Sequence, residues 1–193
     1  MERKILKGLE KLARINRMFL WERGKELGIT PLQLEIINFI GSHPPEMGRV
    51  GVIAREIGVA PPTITDAVKT LIRKGLLKKK EMKEDKRKKI LYLTRRGEEI
   101  TQKFSRWEET FLRYIQDIPY HLKSNVWKFL LQLILRLQKE GIISPSRICF
   151  NCENFMPGAK PHSSQPHLCL LTGIFLAEED MEIECKNFKN QKG

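Results

Sequence analysis

Four cysteines, Cys149, Cys152, Cys169 and Cys185, lie in the last quarter of a 193-residue chain in the pattern C-x2-C-x16-C-x15-C. A CxxC pair makes a tight turn that presents two thiolates to one metal ion, and two later cysteines complete a tetrahedral set. In a reducing compartment such spacing favours a metal site over disulfides. The 45 residues from Cys149 onward hold few large apolar side chains, so a staple is also expected on size grounds. Zinc suits four thiolates in a closed structural site and is the expected metal, while iron and sulfide accept the same ligands in a cluster. A bare thiol redox sensor is the third reading, and Glu153, Glu182 and Glu184 oppose it by disfavouring metal-free thiolates. His162 and His167, on a proline-rich stretch, read as polar loop residues rather than ligands.

A second stretch with chemical character is KKKEMKEDKRKKILYLTRRG, Lys78 to Gly97. The chain's net charge of +12 is concentrated there: residues 49–96 hold 15 Lys/Arg against 5 Asp/Glu, a local +10. Charge confined to one segment points to an anionic partner docking on it, nucleic acid or an acidic surface. The amino terminus, MERKILKGLEKLARINRMF, breaks every apolar run with charge, so no signal peptide is expected. FLLQLILRL is too short and interrupted to span a bilayer, and the protein reads as cytoplasmic with no membrane partner.

These residues need elements to carry them. Ile5, Leu9, Leu12, Asn16 and Phe19 recur at steps of three and four, predicting a helix over 3–26 that ends at Gly28. Thr30 caps a second helix that opens on Pro31 and stops at His43, Pro44 and Pro45. Val50 to Ile57 and Pro62 to Lys74 are short helices closed by Gly58 and Gly75, the latter facing inward with Ile64, Val68, Leu71 and Ile72. Residues 76–81 and 89–94 read as strands joined by the polar turn MKEDKR. Ile100, Phe104, Trp107, Phe111 and Tyr114 mark a further helix broken by Asp117 and Pro119, and Val126 to Leu137 mark another ending at Gly141. The wide apolar stripes of the first and last two helices predict association of two chains. GIISPSR reads as a linker, dividing residues 1–140 from a tail of 141–193.

Helix, turn, helix and a hairpin with a charged tip is the order of a winged helix-turn-helix, with one helix in the major groove and the hairpin on the adjacent backbone or minor groove. TPLQLEIINFI, IAREIGVAPPTITDAVKTLIRKGLLKK and EDKRKKILYLTRRGEEI resemble the MarR family of bacterial and archaeal transcription regulators over about residues 5–140. The shared features are Thr65, the turn Lys74 to Leu77, Asp85 and Arg87, and Leu91, Leu93, Thr94 and Gly97. The resemblance implies a mainly α fold with a β-hairpin wing and a homodimer on an inverted-repeat DNA operator, here with a small metal-stapled extension.

On that reading Pro62, Thr63, Thr65, Asp66 and Lys69 face the groove. Thr63 and Thr65 address base edges or a thymine methyl, Asp66 either accepts from cytosine or pairs with Lys69, and Lys69, Arg73 and Lys74 position the helix on phosphates. Arg87 enters the minor groove, oriented by Asp85, while Lys83, Lys86, Lys88 and Lys89 supply sequence-independent attraction. Ala60 stands where the family commonly has a capping serine. In the tail, CFNCENF followed by CKNF is similar to small cluster-bearing subunits of glycyl radical enzymes, which implies an iron-sulfur site. An enzyme is not expected: four thiolates leave a metal no open position, and no partnered nucleophile, phosphate loop or carboxylate pair stands out. A winged-helix adaptor for an acidic protein or RNA is the alternative binding function. Nothing in the sequence names a small-molecule effector.

Overall fold

The computed structural model describes residues 1–81 and 89–190, with backbone alone at 104–108 and 110. Two compact units are formed, Met1–Thr110 and Phe111–Gly193. The boundary drawn from sequence at residue 140 falls inside the second of them.

In the first unit the elements run α1 (Glu2–Leu27), α2 (Pro31–Ser42), a 3-10 turn (Pro45–Met47), α3 (Val50–Ile57), α4 (Pro61–Arg73), β1 (Leu77–Glu81), β2 (Lys89–Leu93) and the start of α5 (Arg95–Gln116). Local chemistry sets these limits. Thr30 caps α2 by accepting from the Gln33 amide at 3.2 Å, and the Gln33 side chain accepts in return from the Thr30 amide at 3.2 Å. This reciprocal pair satisfies two of the amides a helix start leaves orphaned. The chain leaves α4 through Gly75 at φ 69, a conformation an L side chain resists.

The fully buried Leu34, Ile36, Ile37, Ile53, Ile64 and Leu71 bring α2, α3 and α4 onto one core. β1 and β2 pair antiparallel with Leu77 opposite Leu93 and Lys79 opposite Leu91. The Leu91 amide also donates to Gly48 O at 2.7 Å, so the segment after the 3-10 turn lies against the outer edge of β2. That contact buries Ile90 as well as Leu91, so β2 is covered on both faces rather than alternating in and out.

The second unit contains α6 (Tyr120–Lys139), two further 3-10 turns (Cys149–Asn151 and Glu178–Asp180), and a small antiparallel sheet of β3 (Phe155–Met156), β4 (His167–Cys169) and β5 (Ile174–Leu176) in the order β3-β4-β5. Leu131 of α6 is buried with Ile148, Cys152, Phe155 and Met181 in a core of its own. Polar clasps flank it. The Trp127 indole donates to Glu178 O at 3.0 Å, the Ser124 hydroxyl donates to Glu179 at 2.8 Å, and the Lys128 ammonium pairs with the same carboxylate at 2.9 Å. Further along the helix, Asn151 within the CxxC turn donates to the Gln138 side chain at 3.0 Å.

Three expectations are thereby revised. α6 spends one side on its own chain, and the side left open is marked by Leu122, Val126 and Phe129. The stretch GIISPSR is open only in its first part, because Arg147 and the following Ile148 are buried. His167 is likewise no loop residue: it sits in β4, its ring 5.3 Å from that of Phe155.

Candidate functional site

α4 divides cleanly by side. Ile64, Val68 and Leu71 are buried, while Pro62, Thr63, Asp66, Lys69 and Arg73 are exposed. Thr65 lies half-buried at the border, and its hydroxyl donates to Pro61 O at 2.9 Å, which leaves its methyl and an oxygen lone pair available. Asp66 accepts from Lys69 at 3.0 Å across one helical turn, settling its local partner. Arg73 reaches the Thr70 hydroxyl at 3.5 Å, and Lys74 donates to Gly28 O, tying the end of α4 to the α1–α2 junction.

Ala60 supplies no side-chain cap. The cost is reduced because Pro61 and Pro62 carry no N–H and the Ile64 amide bonds Ala60 O at 3.2 Å. The amide of Thr63 is then what the start of this helix offers to a phosphate. On the hairpin, Lys78, Lys79 and Lys80 are exposed along β1. Lys83, Asp85, Lys86, Arg87 and Lys88 lie outside the described residues.

All four cysteines line one cavity of about 200 Å³ with Asp180, Glu182 and the apolar Phe155, Leu171, Ile174 and Leu176. They enter from three pieces of backbone. Cys149 and Cys152 close a 3-10 turn through the Cys152 amide on Cys149 O at 2.9 Å. Cys169 ends β4, and the Cys185 amide donates to Arg147 O at 3.0 Å.

Donors are aimed at the sulfurs. The amide of Glu182 faces Cys149, the Asn187 amide faces Cys185, and the Thr172 hydroxyl with the Leu171 and Thr172 amides faces Cys169. The Thr172 hydroxyl holds the Cys169 thiol below its usual range, because it bonds the thiolate. Burial pushes Cys149 and Cys185 up, and for Cys185 the Glu182 carboxylate adds to this by accepting from the protonated thiol. The donor set has the chemistry of a metal-thiolate centre, in which amide hydrogen bonds to sulfur orient the ligands. As placed, no three His, Cys, Asp or Glu side chains among the described residues form a group that could hold a metal ion.

Residues 27–88 match the model of the MarR family. The MarR-like segment thus begins at the end of α1 and takes in α2 through β1, stopping just before β2. In fold, the chain is similar to the transcriptional regulator Tm0710 from Thermotoga maritima, at 27% identity and TM-score 0.51, over 72% of this chain and 96% of that one. It is also similar to Staphylococcus aureus MarR solved with salicylate and kanamycin, at 20% identity and TM-score 0.63, over 72% of this chain and 93% of that one. Staphylococcus aureus MepR, solved as a DNA complex, matches at 18% identity and TM-score 0.59, over 67% of this chain and 94% of that one. These chains are covered almost end to end, while over a quarter of the present one is left over.

Sequence reasoning found the cysteines and the exposed side of α4, but not Thr172, Asp180 or the buried Arg147. Thr172 had a usable signal, standing three residues after Cys169 where a turn brings its hydroxyl back to the sulfur. Arg147 had none, since a basic residue in a Pro/Ser stretch reads as solvated. Among the described residues, no helix is long and apolar enough to cross a membrane.

Proposed function

We propose that the chain is a sequence-specific DNA-binding transcription regulator that acts as a homodimer on an inverted-repeat operator, and that Cys149, Cys152, Cys169 and Cys185 hold a metal centre. The observation that carries the DNA-binding reading is α4 itself. Inside a MarR-like segment it presents Pro62, Thr63, Asp66, Lys69 and Arg73 outward from a fully buried opposite side. The basic hairpin follows it directly, and most of the molecule's excess positive charge lies in these elements.

In this reading Thr63 and Thr65 meet base edges or thymine methyls. Lys69, Arg73 and the wing residues Lys86, Arg87 and Lys88 meet phosphates, with Arg87 directed at the minor groove. Asp66 keeps Lys69 in place rather than reading a base. Dimerisation uses the exposed Leu6, Leu12, Met18 and Trp21 of α1 with Leu112, Ile115, Leu122 and Val126 of α5 and α6.

Zinc and an iron-sulfur cluster both accept four thiolates in a closed set, and either would staple the second unit. Selection of bound sequences from a random duplex library by the full-length protein tests the regulator reading. Enrichment of a palindrome with half-sites one helical turn apart is expected. Retention of all sequences alike, at every salt concentration, would remove it.

A further inference from the structure

A second cavity, of about 360 Å³, opens in the first unit where the end of α2, the 3-10 turn, the hairpin and the first turn of α5 meet. None of the residues assigned above to DNA contact lines it. Small-molecule sites usually measure roughly 300–1,000 Å³, so an occupant of this one has to be small.

The hollow does not come from slack packing. At Gly48, one of its lining residues, the Leu91 amide donates to the carbonyl oxygen at 2.7 Å, and a Cβ would stand 2.6 Å from Leu91 O. At Gly41, another, a Cβ would stand 3.2 Å from both the Leu93 and the Thr101 side chains. The turn and α2 thus press closely on their neighbours, and the space remains. Pro44 and Pro45 stiffen its wall. His43 is fixed as well, because its Nδ1 donates to Phe39 O at 2.9 Å and its ring stacks on that of Phe39 at 3.9 Å. A wall held in this way is pre-organised, which lowers the ordering cost of binding.

Two opposite charges line the space from different elements. Lys78 comes from β1, facing Tyr92 across the hairpin, and Glu98 comes from the first turn of α5, where its amide bonds Thr94 O at 2.9 Å. Among the described residues neither joins an ion pair, with the other or elsewhere. Ile40, Leu91 and Leu93 add apolar surface. A cation and an anion set apart beside such surface match a molecule that carries a carboxylate, an ammonium and an apolar group. A simple anion would be opposed by Glu98, a simple cation by Lys78, and an uncharged molecule would gain from neither.

We propose that this cavity binds a free α-amino acid with an apolar side chain, its carboxylate on Lys78, its ammonium on Glu98 and its side chain toward Ile40, Leu91 and Leu93. The site stands independently of the DNA-binding and metal-centre readings. Because both strands and the end of α2 contribute to it, an occupant ties the base of the hairpin to the helices. A carboxylate in a first helical turn is also favoured by the helix dipole, so the decisive readout for Glu98 is ligand selectivity and not stability.

The test uses the full-length protein at neutral pH, with calorimetry and ligand-observed NMR. The probes are L-leucine and L-phenylalanine, each also as its N-acetyl form, which lacks the ammonium, and as its amide, which lacks the carboxylate. The better of the two amino acids is expected to bind with a dissociation constant below about 1 mM, and its blocked forms about five- to tenfold more weakly. Lys78→Met should reduce the amino acid to the affinity of its amide while keeping the preference over the N-acetyl form. Glu98→Gln should do the reverse. Both side chains are exposed, so neither change touches the core. Hydrogen exchange of the Leu91 and Tyr92 amides should slow on binding.

No binding of either amino acid by both methods would overturn the site. Equal affinity for an amino acid and its N-acetyl form would overturn the paired-charge recognition. A uniform loss for all three forms in Lys78→Met or Glu98→Gln would overturn the role given to that residue.

Discussion

The Thr94 hydroxyl donates to the carbonyl oxygen of Gly75 at 2.7 Å and accepts from the Gly97 amide at 3.2 Å. One side chain thus joins the turn that leaves α4, the base of the hairpin and the first turn of α5. Replacing it with valine keeps the shape but removes the cap and leaves two backbone groups short of partners. A loss of about 1–2 kcal/mol is expected, or roughly 2–4 °C in Tm per kcal/mol for a chain of this size. Calorimetry on Thr94→Val checks it, and an unchanged Tm would show the bonds to be replaceable by water.

Gly48 offers a sharper perturbation. A Cβ there would stand 2.6 Å from Leu91 O and 3.2 Å from the Ile90 side chain. Backbone cannot yield as a flexible side chain does, so Gly48→Ala should push β2 away from its outer neighbour. A cost toward the upper end of roughly 1–3 kcal/mol is expected. Faster hydrogen exchange of the Leu91 amide, compared with an exposed control such as Gly51→Ala, is the diagnostic reading.

Affinity for DNA should fall steeply with salt. If each subunit neutralises about five phosphates, a dimer gives a slope of log K against log salt of roughly −9. Arg73→Ala in both subunits should make that slope shallower by about 2 while leaving sequence preference intact, and Arg87→Ala should weaken binding outright. A slope near zero would remove the phosphate contacts altogether.

Acid should undo the clasp on α6 in a defined window. The Lys128 ammonium and the Ser124 hydroxyl hold the Glu179 carboxyl down to about 2, against an ordinary value of 4.5. A depressed folded-state pKa contributes stability that is present above the ordinary value and is lost as pH falls toward the folded one. Lys128 is correspondingly raised by Glu179, so the pair is intact at neutral pH. Trp127 fluorescence, in a background of Trp21→Phe and Trp107→Phe, should therefore shift between about pH 4.5 and pH 2. Glu179→Gln should flatten that shift, and an identical titration in both proteins would disconnect the carboxylate from the indole.

The winged-helix elements were legible because their limits are written in local chemistry. Thr30 followed by Pro31 starts α2, and Gly28, Gly58 and Gly75 end what precedes them, so predicted and observed boundaries agree within a residue or so. The outward row on α4 was legible for a related reason: once Ile64, Val68 and Leu71 are known to be buried, the complement follows from helical spacing. Gln33, the other half of the α2 cap, was overlooked.

The tail was much less open to such reading. β3, β4 and β5 span only two or three residues each, too short for any alternation to register, and they exist because they pair with one another. The α6 stripe was seen, but periodicity states that a side is buried and not what buries it. Trp127 and Leu131 turned out to be covered by residues from their own chain, beyond Gly141. The cysteine spacing announced a site, whereas its volume and the rest of its lining arise only from how the segments cross.

Cutting the gene after codon 140, where the composition changes, is the obvious way to make a minimal DNA-binding fragment. Because α6 packs against residues that follow it, that fragment would carry a bare greasy strip of Leu131, Ile134 and Leu135 into water with nothing to sheathe it. Clumping, rather than a tidy smaller regulator, is what such a truncation should yield.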